Sequence, residues 1–386
     1  MTRYDVGLNY WPATTAMRWW REFRAEDFAR DARTIADAGG TSIRVFLLWE
    51  DFQPKIDQVN AQALADLAQV ADICAAVGLA LVPTLFTGHM SGANWLPRWA
   101  TEAGAPGRFP IVCGDAYAEI RARNWFSDEE VIRAQELLAR EAAAALRGHP
   151  ALRAWDLGNE NSNVCIPDTR DAGRAWLRRM RDALRAGDPG CQVTIGLHME
   201  DLEQDRRIGP AEAAEVCDFL CMHGYPLYAP WARSRTDPTL PAFLADVTRW
   251  LGAGKDVYFE EFGMPTPISE DEGAADVFIA EALDLLYEAG TTGAMLWCFS
   301  DYIPAIWDHP PLDVAPHERF FGLWRADGTA KPAARHLARY ANVERRPSRQ
   351  PAGGAPWADA DRATFYADPL ANLKRLYEGY AKVAAL

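Results

Sequence analysis

Eight short, β-rich apolar runs alternate with longer amphipathic segments along most of this 386-residue chain. Such alternation is typical of βα units arranged around a parallel sheet. The pattern predicts strands at residues 4–9, 42–47, 80–85, 153–157, 192–196, 219–222, 257–260 and 294–299. Eight units of this kind predict a (β/α)8 barrel, a fold that often fills a chain of this length as one domain.

Helical segments are predicted between these strands. They lie near residues 25–38, 61–77, 128–147, 169–186, 208–216, 239–252 and 272–289, with an eighth near 330–341. Ser127 followed by three acidic residues indicates a helix start, and Gly78 indicates a helix end. We therefore predict a catalytic barrel over residues 1–341. Residues 342–386 are predicted to be a Pro/Gly/Arg-rich linker and a helix at Pro369–Lys382, packed on the barrel or on a partner subunit.

Two connections are much longer than the others. About forty residues follow the third strand, and about thirty follow the eighth. Loops of this length are usually functional or disordered, and the aromatic residues in these two favour packed walls around a site. A cleft closed at one end by such walls would suit an enzyme that acts on chain ends or on small oligosaccharides.

Composition restricts the partners of this chain. Its net charge of -14 argues against nucleic acid or an anionic membrane as the main partner, whereas a neutral sugar is indifferent to that charge. Fifteen tryptophans offer flat apolar faces that suit sugar rings, although we expect most of them in the core. The seven cysteines include no Cys-x-x-Cys pair, and no signal peptide or membrane span is visible, so we predict a cytoplasmic protein with reduced thiols.

Two glutamates stand at the ends of predicted strands. Glu160 closes the fourth strand and Glu261 the seventh, each just before a loop, where a parallel barrel places its catalytic groups. Glu260 is an alternative to Glu261, because strand alternation lets only one of them point into the barrel mouth. Two carboxylates that face one another are the smallest set of catalytic groups that commonly hydrolyses a glycosidic bond.

Other strand ends also supply polar or aromatic side chains. Arg44 interrupts an apolar second strand, which is costly unless a carboxylate pairs with it. Asn159 precedes Glu160 on the fourth strand. His223 and Tyr225 share one face of the sixth strand by period-two alternation. Trp297 lies on the eighth strand, so five strand ends converge on one edge of the predicted barrel.

This ordered set resembles the clan A glycoside hydrolases, and most closely family 5, which contains cellulases and β-mannanases. The resemblance spans residues 4–341 and rests on Arg44, Asn159-Glu160, His223-x-Tyr225, Glu261-Phe-Gly263 and Trp297. Asn161 stands after Glu160 where the family commonly has proline. His89 is the candidate for the histidine that the family usually carries after the third strand, although its spacing is loose.

The resemblance implies a role for each matched residue. Glu160 would be the acid/base and Glu261 the nucleophile. Asn159 would bind the substrate 2-hydroxyl, Arg44 and Tyr225 would orient Glu261, His223 would belong to the network around Glu160, and Trp297 would form the floor of the adjoining sugar subsite. We expect Glu261 to be ionised and Glu160 to be protonated, with its pKa raised by burial and by the charge of Glu261.

The expected function is a retaining β-glycoside hydrolase that acts on β-mannosidic or β-glucosidic oligosaccharides through a covalent glycosyl-enzyme, without a metal or other cofactor. Trp95 and Asp301 are further candidates for sugar binding, as are Trp11, Trp99 and Asp308. His198 follows the fifth strand, but helix capping or packing is its expected role.

Three other functions remain open from the sequence. Transglycosylation would use the same intermediate. A metal-dependent sugar isomerase or hydrolase would use His89, His198, His223 and a glutamate, although the ligand spacings typical of such sites are missing. A non-catalytic carbohydrate-binding barrel is the third. A homo-oligomer is also compatible with the sequence, and neither nucleic acid nor membrane is an expected partner.

Overall fold

Eight parallel strands form the centre of the computed structural model, which describes residues 3–267, 270–348 and 361–384. They are β1 (Asp5–Tyr10), β2 (Ser42–Leu48), β3 (Ala80–Thr87), β4 (Trp155–Asn159), β5 (Val193–Gly196), β6 (Leu220–His223), β7 (Val257–Phe262) and β8 (Gly293–Leu296). Their order in the sheet is β5-β4-β3-β2-β1-β8-β7-β6. The edges β5 and β6 meet where the His223 N–H donates to the Leu197 carbonyl at 2.8 Å. The predicted (β/α)8 barrel is confirmed.

The strands are buried on both faces, as expected of a parallel sheet covered by helices. Every residue of β1, β2 and β7 is buried. The predicted strands all occur, with ends shifted by a few residues. β8 ends at Leu296 rather than at Phe299, because Cys298 bonds to a residue outside the neighbouring strands β1 and β7. The Cys298 N–H donates to the Phe321 carbonyl, and the Phe299 N–H donates to the Asn9 carbonyl.

Helices cover the barrel between successive strands. The longer ones are α1 (Ala25–Asp37), α2 (Ala61–Val77), α3 (Glu129–Ala145), α4 (Arg170–Gly187), α5 (Pro210–Val216), α6 (Thr239–Leu251), α7 (Glu272–Glu288) and α8 (Pro369–Ala384). Asp128 rather than Ser127 caps α3, accepting from the backbone of Glu130 and Val131. The predicted eighth helix of the barrel is a 3-10 helix at Pro332–Arg339.

Short elements occupy the connections. Two one-turn α-helices lie at Trp49–Phe52 and Glu200–Glu203. Other 3-10 helices are Ala16–Glu22, Arg98–Ala100, Asn161–Asn163, Pro226–Tyr228, Pro304–Ile306, Pro316–Phe320 and Arg362–Ala367.

The two long loops are ordered and touch one another. After β3, the strands His89–Met90, Ala93–Trp95, Ile111–Cys113 and Ala116–Ala118 form one small sheet, and Thr101–Ala103 pairs with Ile120–Ala122. Tyr117 from this loop donates its hydroxyl proton to Asp313 of the loop after β8, at 2.7 Å. The two loops therefore contact each other, and both form part of the wall around the barrel mouth.

The C-terminal helix α8 packs on the barrel. Its Tyr377 ring contacts the rings of Trp231 and Phe243 at centroid distances of 5.4 and 4.9 Å. Part of the predicted linker, residues 349–360, lies outside the described residues, and the domain boundary at 341 stays a prediction. The seven cysteines are free thiols. Among the helices of the described ranges, none has the length and apolarity needed to cross a lipid bilayer.

Candidate active site

A cavity of about 410 Å³ opens at the carboxyl ends of the barrel strands. This volume lies within the range typical of small-molecule sites. Residues at the ends of β4, β6, β7 and β8 line it, together with residues of several loops. They are His89, Met90, Ser91, Gly92, Arg108, Phe109, Asn159, Glu160, Asn163, His198, Met199, Glu200, His223, Gly224, Tyr225, Tyr228, Glu261, Trp297, Ala315, His317, Glu318 and Phe321.

The two predicted catalytic carboxylates face each other across this cavity. One carboxylate oxygen of Glu160, one of Glu261 and one ring nitrogen of His223 lie within 4.8 Å of one another. Glu160 has a left-handed backbone, with φ at 50° and ψ at 48°, immediately after β4. Such a conformation is strained for a residue with a side chain and is concentrated at functional sites. It turns the Glu160 side chain toward β6 and β7.

Arg44 and Tyr225 hold Glu261 in place. Tyr225 donates its hydroxyl proton to Glu261 Oε1 at 2.6 Å, and Arg44 Nη1 donates to Oε2 at 3.1 Å. Burial raises the pKa of Glu261, and the charge of Glu160 adds to this effect. The charges of His223 and Arg44 and the hydrogen bond from Tyr225 oppose it, but the net direction of the pKa shift is upward.

The buried guanidinium of Arg44 joins the strand ends. It pairs with Asp156 at 2.7 Å, with Glu260 at 3.4 Å and with Glu261. Gly196 makes room for it, because a Cβ there would lie 3.0 Å from Arg44 Nη2. Burial lowers the pKa of Arg44, but these three carboxylates outweigh that effect and keep it protonated. The carboxylate partner that the sequence requires for Arg44 is therefore present.

The structure also separates the two adjacent glutamates. Glu260 is buried and its carboxylate contacts Arg44 and His223 Nε2, the latter at 3.4 Å. Glu261 lines the cavity and Glu260 does not. Alternation along β7 thus gives Glu260 a supporting place and leaves Glu261 facing the site.

Three imidazoles surround Glu160. His223 Nδ1 is 3.2 Å from Glu160 Oε1, while His198 Nδ1 and His89 Nε2 are 3.7 and 3.9 Å from Oε2. Asn163 donates to Oε2 at 3.0 Å. Burial raises the pKa of Glu160, but the charges of the three histidines and the hydrogen bond from His223 outweigh it and hold this pKa below its ordinary range.

This electrostatic pattern differs from the expectation that Glu160 holds the proton and Glu261 is ionised. Burial lowers the pKa of His223, but the charge of Glu261 and the hydrogen bonds to Glu160 and Glu260 raise it to about 10. These pKa shifts favour a proton on the imidazole of His223 over one on Glu160. The physical reason is that three histidines from three separate strand ends converge on Glu160, which no local sequence pattern shows.

His198 lines the cavity, whereas the sequence favoured a capping or packing role for it. Its Nε2 is 2.9 Å from the hydroxyl of Ser162, which donates in turn to Asp201 at 2.6 Å. Sequence reasoning missed Ser162 and Asp201. It also missed Tyr228, His317 and Glu318, which lie on loops without a strand-end signal.

The remaining predicted site residues divide into two groups. His89, Asn159 and Trp297 line the cavity. Asn159 accepts from Arg44 and donates to the His89 carbonyl at 2.9 Å, so these protein contacts orient its amide. Trp95 and Asp301 do not line the cavity. Trp95 donates to the Met90 carbonyl, and Asp301 accepts from Lys331 at 2.8 Å and from the Gly322 N–H.

The polar groups of Trp95 and Asp301 bond within the fold, and sugar binding by these two residues stays a prediction. Trp11, Trp99 and Asp308 also lie outside the cavity lining. Trp11 is fully buried and donates to Met90 Sδ at 3.4 Å, while Trp99 donates to the Gln53 carbonyl at 3.0 Å.

Glu160, His223 and Glu261 form the donor set in the described ranges that is close enough to bind a cation. These donors are already paired with protein groups. Arg44 supplies positive charge to Glu261, and the imidazoles supply it to Glu160. A cation would therefore compete with a fixed guanidinium and protonated imidazole, which is unfavourable for a metal centre.

No protein-family model matches this chain, and no curated protein matches it in sequence. Solved structures do match. A GH5_18 enzyme from Streptomyces cattleya, in complex with Manb1-4GlcNAc, is 26% identical, with 88% of this chain and 80% of that chain covered and a TM-score of 0.74. An exo-β-1,4-mannosidase from Opitutaceae bacterium strain TAV5 is 27% identical, with 88% and 59% covered and a TM-score of 0.74.

Two structures of GH5_18 from Bifidobacterium longum subsp. longum share the fold at TM-scores of 0.75. One is 18% identical, with 98% of this chain and 94% of that chain covered, and the other is 19% identical, with 98% and 96% covered. These similarities confirm the resemblance to glycoside hydrolase family 5 of clan A, and the protein is a glycosidase.

Proposed function

We propose that this protein is a retaining, exo-acting β-mannosidase that releases a terminal β-linked mannose from small oligosaccharides. The observation that carries the proposal is the approach of Glu160 and Glu261 to within 4.8 Å in a cavity walled by two long loops. The Streptomyces cattleya structure holds Manb1-4GlcNAc, and the Opitutaceae enzyme is an exo-β-1,4-mannosidase, which supports mannose over glucose.

The spacing of the carboxylates supports a double displacement. Retaining glycosidases keep their two carboxyl groups about 5–5.5 Å apart, whereas inverting ones need about 6.5–9.5 Å to admit a water. Glu261 attacks the anomeric carbon and forms a covalent glycosyl-enzyme as the bond to the leaving oxygen breaks. Glu160 protonates that oxygen. In the second step Glu160 takes a proton from water, whose oxygen attacks the anomeric carbon and releases Glu261.

His223 accounts for the source of the first proton. Its Nδ1 contacts Glu160 Oε1 at 3.2 Å. A bound sugar excludes water and thereby disfavours the ionised form of Glu160, so the proton of His223 can pass to Glu160. Glycosylation of Glu261 then removes the charge that does most to raise the pKa of His223. The Arg44 and Tyr225 contacts keep Glu261 aligned for attack.

The loop wall supports exo action. Tyr117 and Asp313 join the loops after β3 and β8, and the cavity of about 410 Å³ is a pocket for a small ligand. A polymer that continues beyond the terminal sugar would meet this wall. A cytoplasmic location and a homo-oligomeric state stay predictions, and transglycosylation is a second outcome of the same intermediate.

Nitrophenyl β-glycosides of mannose, glucose, galactose and xylose test the proposal. We expect the β-mannoside to be hydrolysed with the highest kcat/KM and β-mannose to be the first product by NMR. α-Mannose as the first product would contradict retention, and a faster β-glucoside would contradict the sugar assignment. Loss of activity with a chelator would favour the metal-dependent alternative. Binding without hydrolysis would favour a non-catalytic barrel.

A further inference from the structure

One buried carboxylate in the cavity has no part in the double displacement described above. Glu318 lies in the 3-10 helix Pro316–Phe320 after β8 and is 7% exposed. Its Oε1 accepts a hydrogen bond from the Tyr228 hydroxyl at 3.3 Å and lies 3.4 Å from His317 Nε2. Ser91 and Trp297 also present hydrogen-bonding groups to it.

The charge partner of Glu318 differs from those of several other buried carboxylates, which pair with arginine or lysine. Asp156 pairs with Arg44, Glu212 with Arg170, and Asp301 with Lys331. Within the described ranges, the ion-pair partner of Glu318 is the half-buried His317, whose pKa is lowered by burial. Burial raises the pKa of Glu318 to about 7. Keeping such a carboxylate is costly unless something else bonds to it.

The position of Glu318 shows which part of a substrate it would meet. The cavity has an acid/base side, formed by His89, His198, Glu200 and Arg108 around Glu160, and a nucleophile side, formed by residues after β6, β7 and β8. The acid/base protonates the leaving oxygen, so the leaving sugar lies on the first side. The terminal sugar attacked by Glu261 lies on the second side, where Glu318, Tyr228 and Trp297 are found.

The Glu318 carboxylate can accept more hydrogen bonds than the protein donates to it. An ionised carboxylate offers about four acceptor positions. Tyr228, Ser91 and Trp297 account for at most three of these, and Nε2 of His317 is closer to the Tyr228 hydroxyl, at 2.8 Å, than to Glu318, at 3.4 Å. At least one position remains for a hydroxyl from the cavity, and a sugar ring presents several hydroxyl donors.

We propose that Glu318 is a specificity-determining residue that accepts a hydrogen bond from a hydroxyl of the terminal sugar. This inference rests on the proposed glycosidase function and names the contact by which the enzyme recognises a free chain end. A sugar whose contacted hydroxyl is substituted, as within a longer chain or a branched one, loses the bond and meets a buried carboxylate without a donor.

The test combines variants of the residue with variants of the substrate. Glu318→Ala and Glu318→Gln are assayed on nitrophenyl β-mannoside and on its 2-, 3-, 4- and 6-deoxy derivatives. A hydrogen bond to a charged group corresponds to roughly 10- to 100-fold in kcat/KM. For the wild type, we expect kcat/KM on one of the deoxy sugars to be lower than on the parent mannoside by this factor. For Glu318→Ala, kcat/KM on the parent mannoside should already be lower by this factor, and removing that same hydroxyl from the sugar should cause no further loss.

Two controls separate recognition from support of the fold. Glu141→Ala changes an exposed carboxylate on α3 and should leave all five rates unchanged. Circular dichroism checks the folding of both Glu318 variants, and Glu318→Gln, which keeps an acceptor oxygen, should lose less than Glu318→Ala. An equal loss on all five substrates, or no loss, would overturn the role of Glu318.

The proposed function is judged by a different result, the hydrolysis of the parent mannoside by the wild type. Should the wild type bind these sugars without hydrolysing them, the same comparison is made on their dissociation constants. Hydrolysis with equal deoxy penalties in wild type and Glu318→Ala would overturn the inference alone. Neither binding nor hydrolysis by the wild type would overturn both.

Discussion

The two sides of the cavity surround a glutamate carboxylate with different kinds of groups. Glu160 is surrounded by three imidazoles, groups that take up and release protons. Glu261 is held by Arg44, which does not, and by the Tyr225 hydroxyl. One carboxylate therefore sits among groups that exchange protons, and the other among groups that fix its position. The environment, not the residue type, assigns the two roles.

His223 connects the two sides. It is fully buried and contacts Glu160, Glu260 and Glu261 at 3.2, 3.4 and 3.6 Å. A proton on this imidazole therefore interacts with each carboxylate at once. A change of charge on one side, such as glycosylation of Glu261, is thus transmitted to the other through a single side chain.

The largest loss of activity is expected from a change at Glu261, the carboxylate that Arg44 and Tyr225 hold in position. Glu261→Ala removes the nucleophile, so kcat/KM for nitrophenyl β-mannoside should fall on the order of 10⁴-fold or more. Sugar binding, measured by calorimetry, should persist. Added azide should restore turnover and yield an α-glycosyl azide. Glu141→Ala, on an exposed face of α3, is the matched control, and full activity of Glu261→Ala would contradict the assignment.

The next largest loss of activity is expected from a change at Glu160, the carboxylate that the imidazoles surround. Glu160→Ala should lower kcat/KM by about 10²- to 10⁴-fold for a leaving group that needs protonation. A dinitrophenyl leaving group needs no acid, so formation of the glycosyl-enzyme should be nearly unaffected and a burst should appear. Equal losses on both leaving groups would show that Glu160 is not the acid.

Glu318 gives a smaller effect that is visible in stability. Burial raises its pKa from 4.5 to about 7, so it stabilises the fold least when ionised. Its contribution is fully present below pH 4.5 and is lost as the pH rises through 7. The free energy of unfolding of Glu318→Gln minus that of the wild type should therefore increase by roughly 3 kcal/mol between pH 4 and pH 8. Urea unfolding at both pH values measures this, and a constant difference would contradict it.

The smallest effect is a displacement of the pH profile. The charge of His198 lowers the pKa of Glu160, so His198→Asn should raise that pKa and move the basic limb of kcat/KM to higher pH. His149→Asn, paired with Asp72 away from the cavity, is the control and should leave the profile unchanged. A shift to lower pH would show that His198 acts on Glu160 other than through its charge.

Local sequence signals predicted the barrel and the residues at its strand ends. Eight apolar runs separated by helical segments leave few architectures besides a closed parallel sheet, because each unit must bury its apolar face against the next. Parallel strands end at one edge, so their positions in the sequence place Glu160, Glu261, Arg44 and Trp297 together. Alternation along β7 left Glu260 and Glu261 undecided, and the structure separates them by their partners.

The sequence by itself determined the fold and the two carboxylates, since both depend on periodicity and on position within a strand. Only the tertiary structure decided which loop residues reach the cavity: it brings in His198 and Glu318 and turns Trp95 and Asp301 into the surrounding packing. It also sets the directions in which the pKa values of Glu160, His223 and Glu261 shift. Loop paths and buried charges depend on contacts between distant segments, and no short stretch of sequence specifies those contacts.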